Sequence, residues 1–281
     1  MKTLTTTRNA LIALALVAGA GSSALADFNY ANFGSISGLS LVGVATQSSN
    51  SILVTPSVGG SAGAVWAAMK QDVSVGFDTT MTIHIQDKVG GGADGIALVI
   101  QNSAPTPLGG TGGGMGFARN LVFNQPGIAN SFALELDMWN NNTKDWPEPG
   151  DNHVSFQSKG QLENVPDMSG SLANAGTADL SDGSMHTVRL NYTAGIMSVY
   201  LDGSLTASLS AAINLSTLLS LDTSGNGVGK AWVGVTAATG GTVDRQAHCL
   251  DSWTWTSTVI PAPGTASLLA LGGALMIRRK R

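Results

Sequence analysis

Eight consecutive residues, Phe132-Ala133-Leu134-Glu135-Leu136-Asp137-Met138-Trp139, constrain this chain more than any others. Phe132, Leu134, Leu136 and Met138 alternate with Ala133, Glu135, Asp137 and Trp139, the period of two that belongs to a strand with two distinct faces. One face is apolar throughout. The other carries Glu135 and Asp137 two residues apart, and neighbouring carboxylates on one sheet face repel. A shared proton or a cation has to compensate them. The following loop, up to residue 156, adds Asn141, Asp145, Asp151 and His153. Carboxylates, an amide and an imidazole so close in sequence form a mixed donor set. The oxygens suit Ca²⁺ and the imidazole suits a transition ion.

The same strand speaks against hydrolysis. An E-x-D-x-x-E strand presents the nucleophile and the acid/base of laminarinase-type glycoside hydrolases, and Glu135-Leu136-Asp137-Met138 begins that way. The next carboxylate would fall at Trp139 or Asn140, and neither side chain can transfer the proton. A retaining hydrolase needs two carboxyl groups flanking the scissile bond.

Short alternating runs recur along the chain, at residues 79–86, 95–101, 186–192, 196–201, 230–236 and 252–257. Thr193-Ala194-Gly195 reads as a hairpin turn, and Asp202-Gly203 as a further turn signal. With 36 glycines and no internal repeat, the only stretch open to a helical reading is a short one at 210–221. Many short strands joined by Gly-rich loops predict an all-β sandwich or jelly roll. The length of 281 residues is compatible with one large domain.

The two ends read as addresses. Residues 1–26 have a basic start (Lys2, Arg8), an apolar run over 10–20 and an Ala24-Leu25-Ala26 cleavage site, the layout of a secretory signal peptide. Residues 258–281 open with Pro261-Ala262-Pro263-Gly264, continue with an apolar run over 266–277 and close on Arg278-Arg279-Lys280-Arg281. A short apolar span with a positive end predicts retention in a membrane through this segment alone. The segment resembles the PEP-CTERM sorting signal of Gram-negative bacteria, with Ala262 where Glu is usual. That resemblance implies export, transient retention in the inner membrane and delivery to the cell surface or an exopolysaccharide matrix.

These ends hold six of the 14 Lys and Arg and none of the 18 Asp and Glu. Residues 27–257, the predicted domain, therefore carry a net charge of −10. Such a domain suits cations and makes nucleic acid an unfitting partner. The single cysteine, Cys249, permits no internal disulfide and reads as a small buried residue.

The segment E-x-D-x-W-x-N followed by Asp and then His-Val resembles the metal-binding strand and loop of the legume (L-type) lectins, of which concanavalin A is the familiar example. A-D-G at Ala93-Asp94-Gly95, the Gly-rich run over 109–116, and W-V-G-V-T-A-A-T-G before H-C-L-D-S-W-T-W fit the same family. The resemblance implies a concanavalin A-like jelly-roll β-sandwich that binds carbohydrate and is not an enzyme. It implies a transition ion, Mn²⁺, held by Glu135, Asp137, Asp145 and His153. A Ca²⁺ would be held by Asp137, the Trp139 carbonyl, Asn141 and Asp145. The interval between Asp145 and His153 is about one residue longer than the family pattern, which leaves Asp151 as the substitute for Asp145. For the sugar, the resemblance implies Asp94 as acceptor after a cis Ala93–Asp94 peptide, with Asn141 and the Gly114 N–H as donors. Trp139 would be the aromatic plate, and the loop with Gly241 and Thr242 would tune the choice of sugar. The partners implied are glycans or exopolysaccharide, and the fold's habit of pairing edge to edge allows a homodimer. His84, His186 and His248 read as core or rim residues, as do Trp66, Trp146, Trp232, Trp253 and Trp255. Two other readings stay open: a surface structural protein that kept the fold and lost sugar binding, and a jelly-roll glycoside hydrolase.

Overall fold

The alternating segments pair into two open antiparallel sheets in the computed structural model, which describes residues 27–141, 148–193, 195–225 and 227–258. The expectations for residues 1–26, for most of 258–281, and for Asp145 and Trp146 lie outside the described residues. Among those described, no helix is long and apolar enough to cross a membrane.

The back sheet runs β14 (Leu209–Ala212), β13 (Ile196–Leu201), β12 (Met185–Thr193), β7 (Gly76–Val89), β16 (Arg245–Ser257), β4 (Ser51–Thr55) and β3 (Thr46–Ser48), with β1 (Phe28–Tyr30) also on β16. The front sheet runs β11 (Ser171–Gly176), β10 (His153–Ser158), β9 (Ser131–Asp137), β8 (Asp94–Gln101), β15 (Lys230–Thr239), β5 (Ala62–Ala67) and β2 (Leu39–Gly43), with β6 (Gln71–Asp72) also on β15. This is the predicted all-β jelly-roll sandwich. The possible helix at 210–221 resolves into β14 and one helical turn, α1 (Leu215–Leu218), capped by the Asn214 side chain. Its Leu and Ala residues serve the sheet edge, so tertiary packing overrides the local helix preference.

The apolar face of β9 behaves as its pattern requires. Phe132, Leu134, Leu136 and Met138 join Ile96, Leu98, Val233, Trp253 and Trp255 in the core between the sheets. The opposite face departs from a half-exposed strand, because every residue of β9 is buried. Ala133, Ala97, Val99 and Trp66 are covered by Met115, Phe117, Ala118 and Ile128 from the 109–129 segment, which forms a second, smaller core. Burying each large apolar side chain there contributes at most about 1.5–3 kcal/mol. That cover holds the Gly-rich turn in place over the sheet and leaves β8 and β9 buried on both faces at their shared end.

Candidate functional site

Four neighbouring strands of the front sheet end at one level. Thr239, the last residue of β15, pairs with Asp94, the first of β8. Gly95 pairs with Asp137, the last residue of β9, and Asp137 pairs with His153, the first of β10. Strand register alone therefore brings Asp94, Asp137 and His153 together. Asp94 follows a cis Ala93–Asp94 peptide, as the resemblance implies.

On the β9–β10 side lies a compact donor group. One ligand atom each from Asp137, Glu148 and His153 lies within 4.8 Å of the others, and all three residues contribute buried positions. His153 Nδ1 donates to the Gly150 carbonyl at 3.2 Å. That bond leaves Nε2 with its lone pair, the usual arrangement of a ligating imidazole. No hydrogen bond reaches Nε2, and Glu135 Oε2 is 3.9 Å away, beyond hydrogen-bond reach. Glu135 accepts from Gln157 Nε2 at 3.0 Å through one oxygen and has no partner on the other. Asp137 Oδ1 accepts from the Trp139 N–H at 2.8 Å. Glu148 Oε2 accepts from the Asn141 N–H at 2.7 Å, so the donor group and Asn141 are one connected unit.

The electrostatics of this end are one-sided. Burial pushes the Glu135 carboxyl up to about 8. It raises Asp137 well above the carboxylate range, with Glu135 and Glu148 adding repulsion. Burial brings Glu148 to about 7 and lowers His153. Buried, partnerless oxygen and nitrogen atoms facing one another fit a cation held by carboxylates and an imidazole.

On the β8–β15 side Asp94 is almost fully buried, and its Oδ2 has no hydrogen-bond partner. Burial, then Glu148 and Asp244, push its carboxyl up to about 7. Glycines make room around it. A Cβ added to Gly240 would lie 3.5 Å from Asp94 Oδ2, and one added to Gly112 would lie 4.0 Å away. A Cβ on Gly113 would lie 3.5 Å from Asn141 Nδ2. The Trp139 ring lies against Gly91, where a methyl group would strike it, and Gly91 N–H is held by Asp244 Oδ1 at 2.8 Å.

Most residues expected at the site gather there, with three departures. Asp151, expected as the substitute for Asp145, is exposed and outside the donor group; Glu148 takes that place. Glu148 stands between Pro147 and Pro149 in sequence, and fixed proline φ angles suit a loop that must return to the strand end. That spacing, five residues before His153, is the signal that could have found it. The Gly114 N–H, expected as a sugar donor, is engaged by the Thr111 carbonyl at 3.2 Å within the 3-10 turn Gly112–Gly114, so Gly113 is the glycine nearest Asn141. Gly241 and Thr242 are exposed at the rim, and Gly240 is the residue of that loop against Asp94.

The remaining histidines and tryptophans fall in the core or near it. Trp66, Trp253 and Trp255 are fully buried, and His248 is buried against Thr55 Oγ1 at 2.6 Å. Cys249 is a buried free thiol, pushed up to about 12 mainly by burial, and so is no nucleophile.

The family model described as the legume lectin beta-barrel domain matches residues 30–252. Among solved structures, a lectin from Bauhinia forficata in complex with GalNAc matches with a TM-score of 0.65 at 23% identity, covering 83% of this chain and 97% of that one. The metal-free form of lectin I-B4 from Griffonia simplicifolia gives a TM-score of 0.65 at 22% identity, covering 83% and 99%. Arcelin-5, a lectin-like defence protein from Phaseolus vulgaris, gives 0.63 at 19%, covering 83% and 98%.

Proposed function

This chain belongs to the legume-type (L-type) lectin family, and from that premise we propose that the strand-end pocket binds glycans in a metal-dependent way. Lectins of this family bind carbohydrate without turning it over, so the chain is a binding protein and not an enzyme. One observation carries the proposal: a buried, partnerless Asp94 carboxylate opens toward Asn141 beside the Asp137–Glu148–His153 donor group. A sugar presents hydroxyl donors and acceptors together with an apolar face. The pocket answers with an acceptor carboxylate, an amide, a backbone N–H of the Gly112–Gly114 turn and the half-buried Trp139 ring.

Asp137, Glu148 and His153, with Glu135 behind them, would hold the ions, Ca²⁺ and a transition ion of the Mn²⁺ type. A bound cation supplies the positive charge that lets these buried carboxylates ionise. The chain's own residues do the rest. The Asn141 N–H is fixed on Glu148, so ordering the donor group orders Asn141. The Asp94 main-chain carbonyl accepts from the Met138 N–H at 2.9 Å, which couples the Asp94 loop to the end of β9.

The ends supply the setting. A signal peptide at 1–26 and a PEP-CTERM-like segment at 258–281 suit a lectin exported to the surface or matrix of a Gram-negative-type bacterium, where exopolysaccharide is the natural class of ligand. Mass spectrometry of the protein recovered from its producing cells checks both ends by the residues removed.

A glycan array probed with Ca²⁺ and Mn²⁺ present, and again after EDTA, tests the binding itself. Binding that EDTA removes supports the proposal. An array with no signal in either buffer, alongside a metal-induced rise in melting temperature, points instead to a matrix protein with structural ions.

A further inference from the structure

The outer face of the back sheet carries a groove of about 260 Å³, away from the strand-end pocket. Its floor lies where β4, β16 and β7 run side by side. Cys249 stands opposite His84 on β7 and opposite Leu53 on β4. Directly paired residues place their side chains on the same face. The register shifts between Leu250 and Ser252, so Leu250 and Trp253 both enter the core while Asp251 stays on the outer face with Cys249.

Asp251 then organises the groove. Its Oδ1 accepts from Ser51 Oγ at 2.5 Å, and its Oδ2 from His84 Nδ1 at 2.6 Å. The carboxylate fixes the imidazole with its proton on Nδ1, which leaves the Nε2 lone pair as an acceptor. Gln86 Nε2 points at Cys249 Sγ at 3.6 Å, leaving the amide oxygen as a further acceptor. Asp87 completes the rim. The fields of Asp251 and Asp87 reach the floor, where both add to the effect of burial in holding the Cys249 thiol protonated. No lysine or arginine lines the groove.

An acceptor-rich groove with carboxylates and no basic side chain selects a donor-rich, positively charged occupant. Its volume lies just below the roughly 300–1,000 Å³ of drug-sized sites, which limits the occupant to about one ring. We propose that this groove is a second ligand site, independent of the pocket around Asp94, and that it takes a small hydroxylated primary amine of the amino-sugar class. The ammonium group would sit between Asp251 and Asp87, with hydroxyls on His84 Nε2 and Gln86.

The test titrates the full chain, in EDTA, with glucosamine and with its neutral N-acetyl form, following the His84 and Trp139 ring signals by NMR. Saturable glucosamine binding that moves the His84 ring, and at least tenfold weaker binding of the N-acetyl form, is the expected result. Asp87→Asn should weaken glucosamine binding at least tenfold. Asparagine tolerates the left-handed backbone at this position (φ 54°), so the variant keeps the fold. Equal binding of the two sugars, a response at Trp139 in place of His84, or no saturable binding would each overturn the proposal.

Discussion

His153 stands directly opposite Asp137 across the β9–β10 ladder. The two ends of a long loop are thereby pinned at one level, and Glu148 is returned to the same spot. The consequence is a donor group set by register, which a rigid sheet holds more tightly than a loop could.

Glu148, not Asp151, is the acidic loop residue of this group. Glu148→Gln should weaken Ca²⁺ and Mn²⁺ binding at least tenfold, because metal ligands must be anionic or neutral lone-pair donors. Asp151→Asn, at an exposed position, should change it less than twofold. Titration calorimetry on the two variants decides between them, and the reverse order would reassign the ligand.

Acidity tunes the stability of the metal-free protein in an unusual direction. Glu135, Asp94 and Glu148 ionise near 8, 7 and 7 in the folded chain, above their ordinary values of 4.5, 3.8 and 4.5. Between about pH 4 and pH 8 the folded state therefore holds more protons than the unfolded one, and stability falls as pH rises. Below pH 4 both states are protonated and this penalty vanishes. Thermal melts in EDTA should show a declining midpoint from pH 5 to pH 8. Added Ca²⁺ and Mn²⁺ should restore it most at the alkaline end; a midpoint that climbs across this range in EDTA would contradict the assignment.

A second titrating device works in the opposite sense. His186 donates through Nδ1 to Asp202 at 3.0 Å and through Nε2 to Asp182 at 3.1 Å, and these carboxylates outweigh burial and raise its pKa. A group raised in the folded state contributes stability that is complete below its unfolded pKa, near 6.5, and is lost as pH passes through the folded value. His186→Gln should cost more at pH 6 than at pH 9. Equal shifts in melting midpoint at both values would show that the imidazolium contributes nothing.

Much of this was legible before any coordinates. The alternation at Phe132–Trp139 fixes a strand, and pairing partners at His153 and Gly95 follow from it. The burial of the Glu135–Asp137 face was not legible, because it depends on Phe117 and Ile128 folding back from a distant loop. Glu148 hid for a similar reason: a loop residue shows its role only once the loop's path is known. Gly114 looked like a donor because Gly-rich runs expose N–H groups; the 3-10 turn engages that one. The outer-face chain of Ser51, Asp251 and His84 depends on a register shift in β16 that residue periodicity does not announce.

The central claim is that Asp94 binds sugar in a pocket ordered by metal. Its most direct test is the affinity of the best array glycan for the wild type and for Asp94→Asn, each measured with Ca²⁺ and Mn²⁺ and again in EDTA. The account predicts binding for the wild type with metals only, and a loss of at least a hundredfold in Asp94→Asn while its metal-induced rise in melting temperature persists. Undiminished binding by Asp94→Asn, or binding by the wild type that is the same in EDTA, would contradict it.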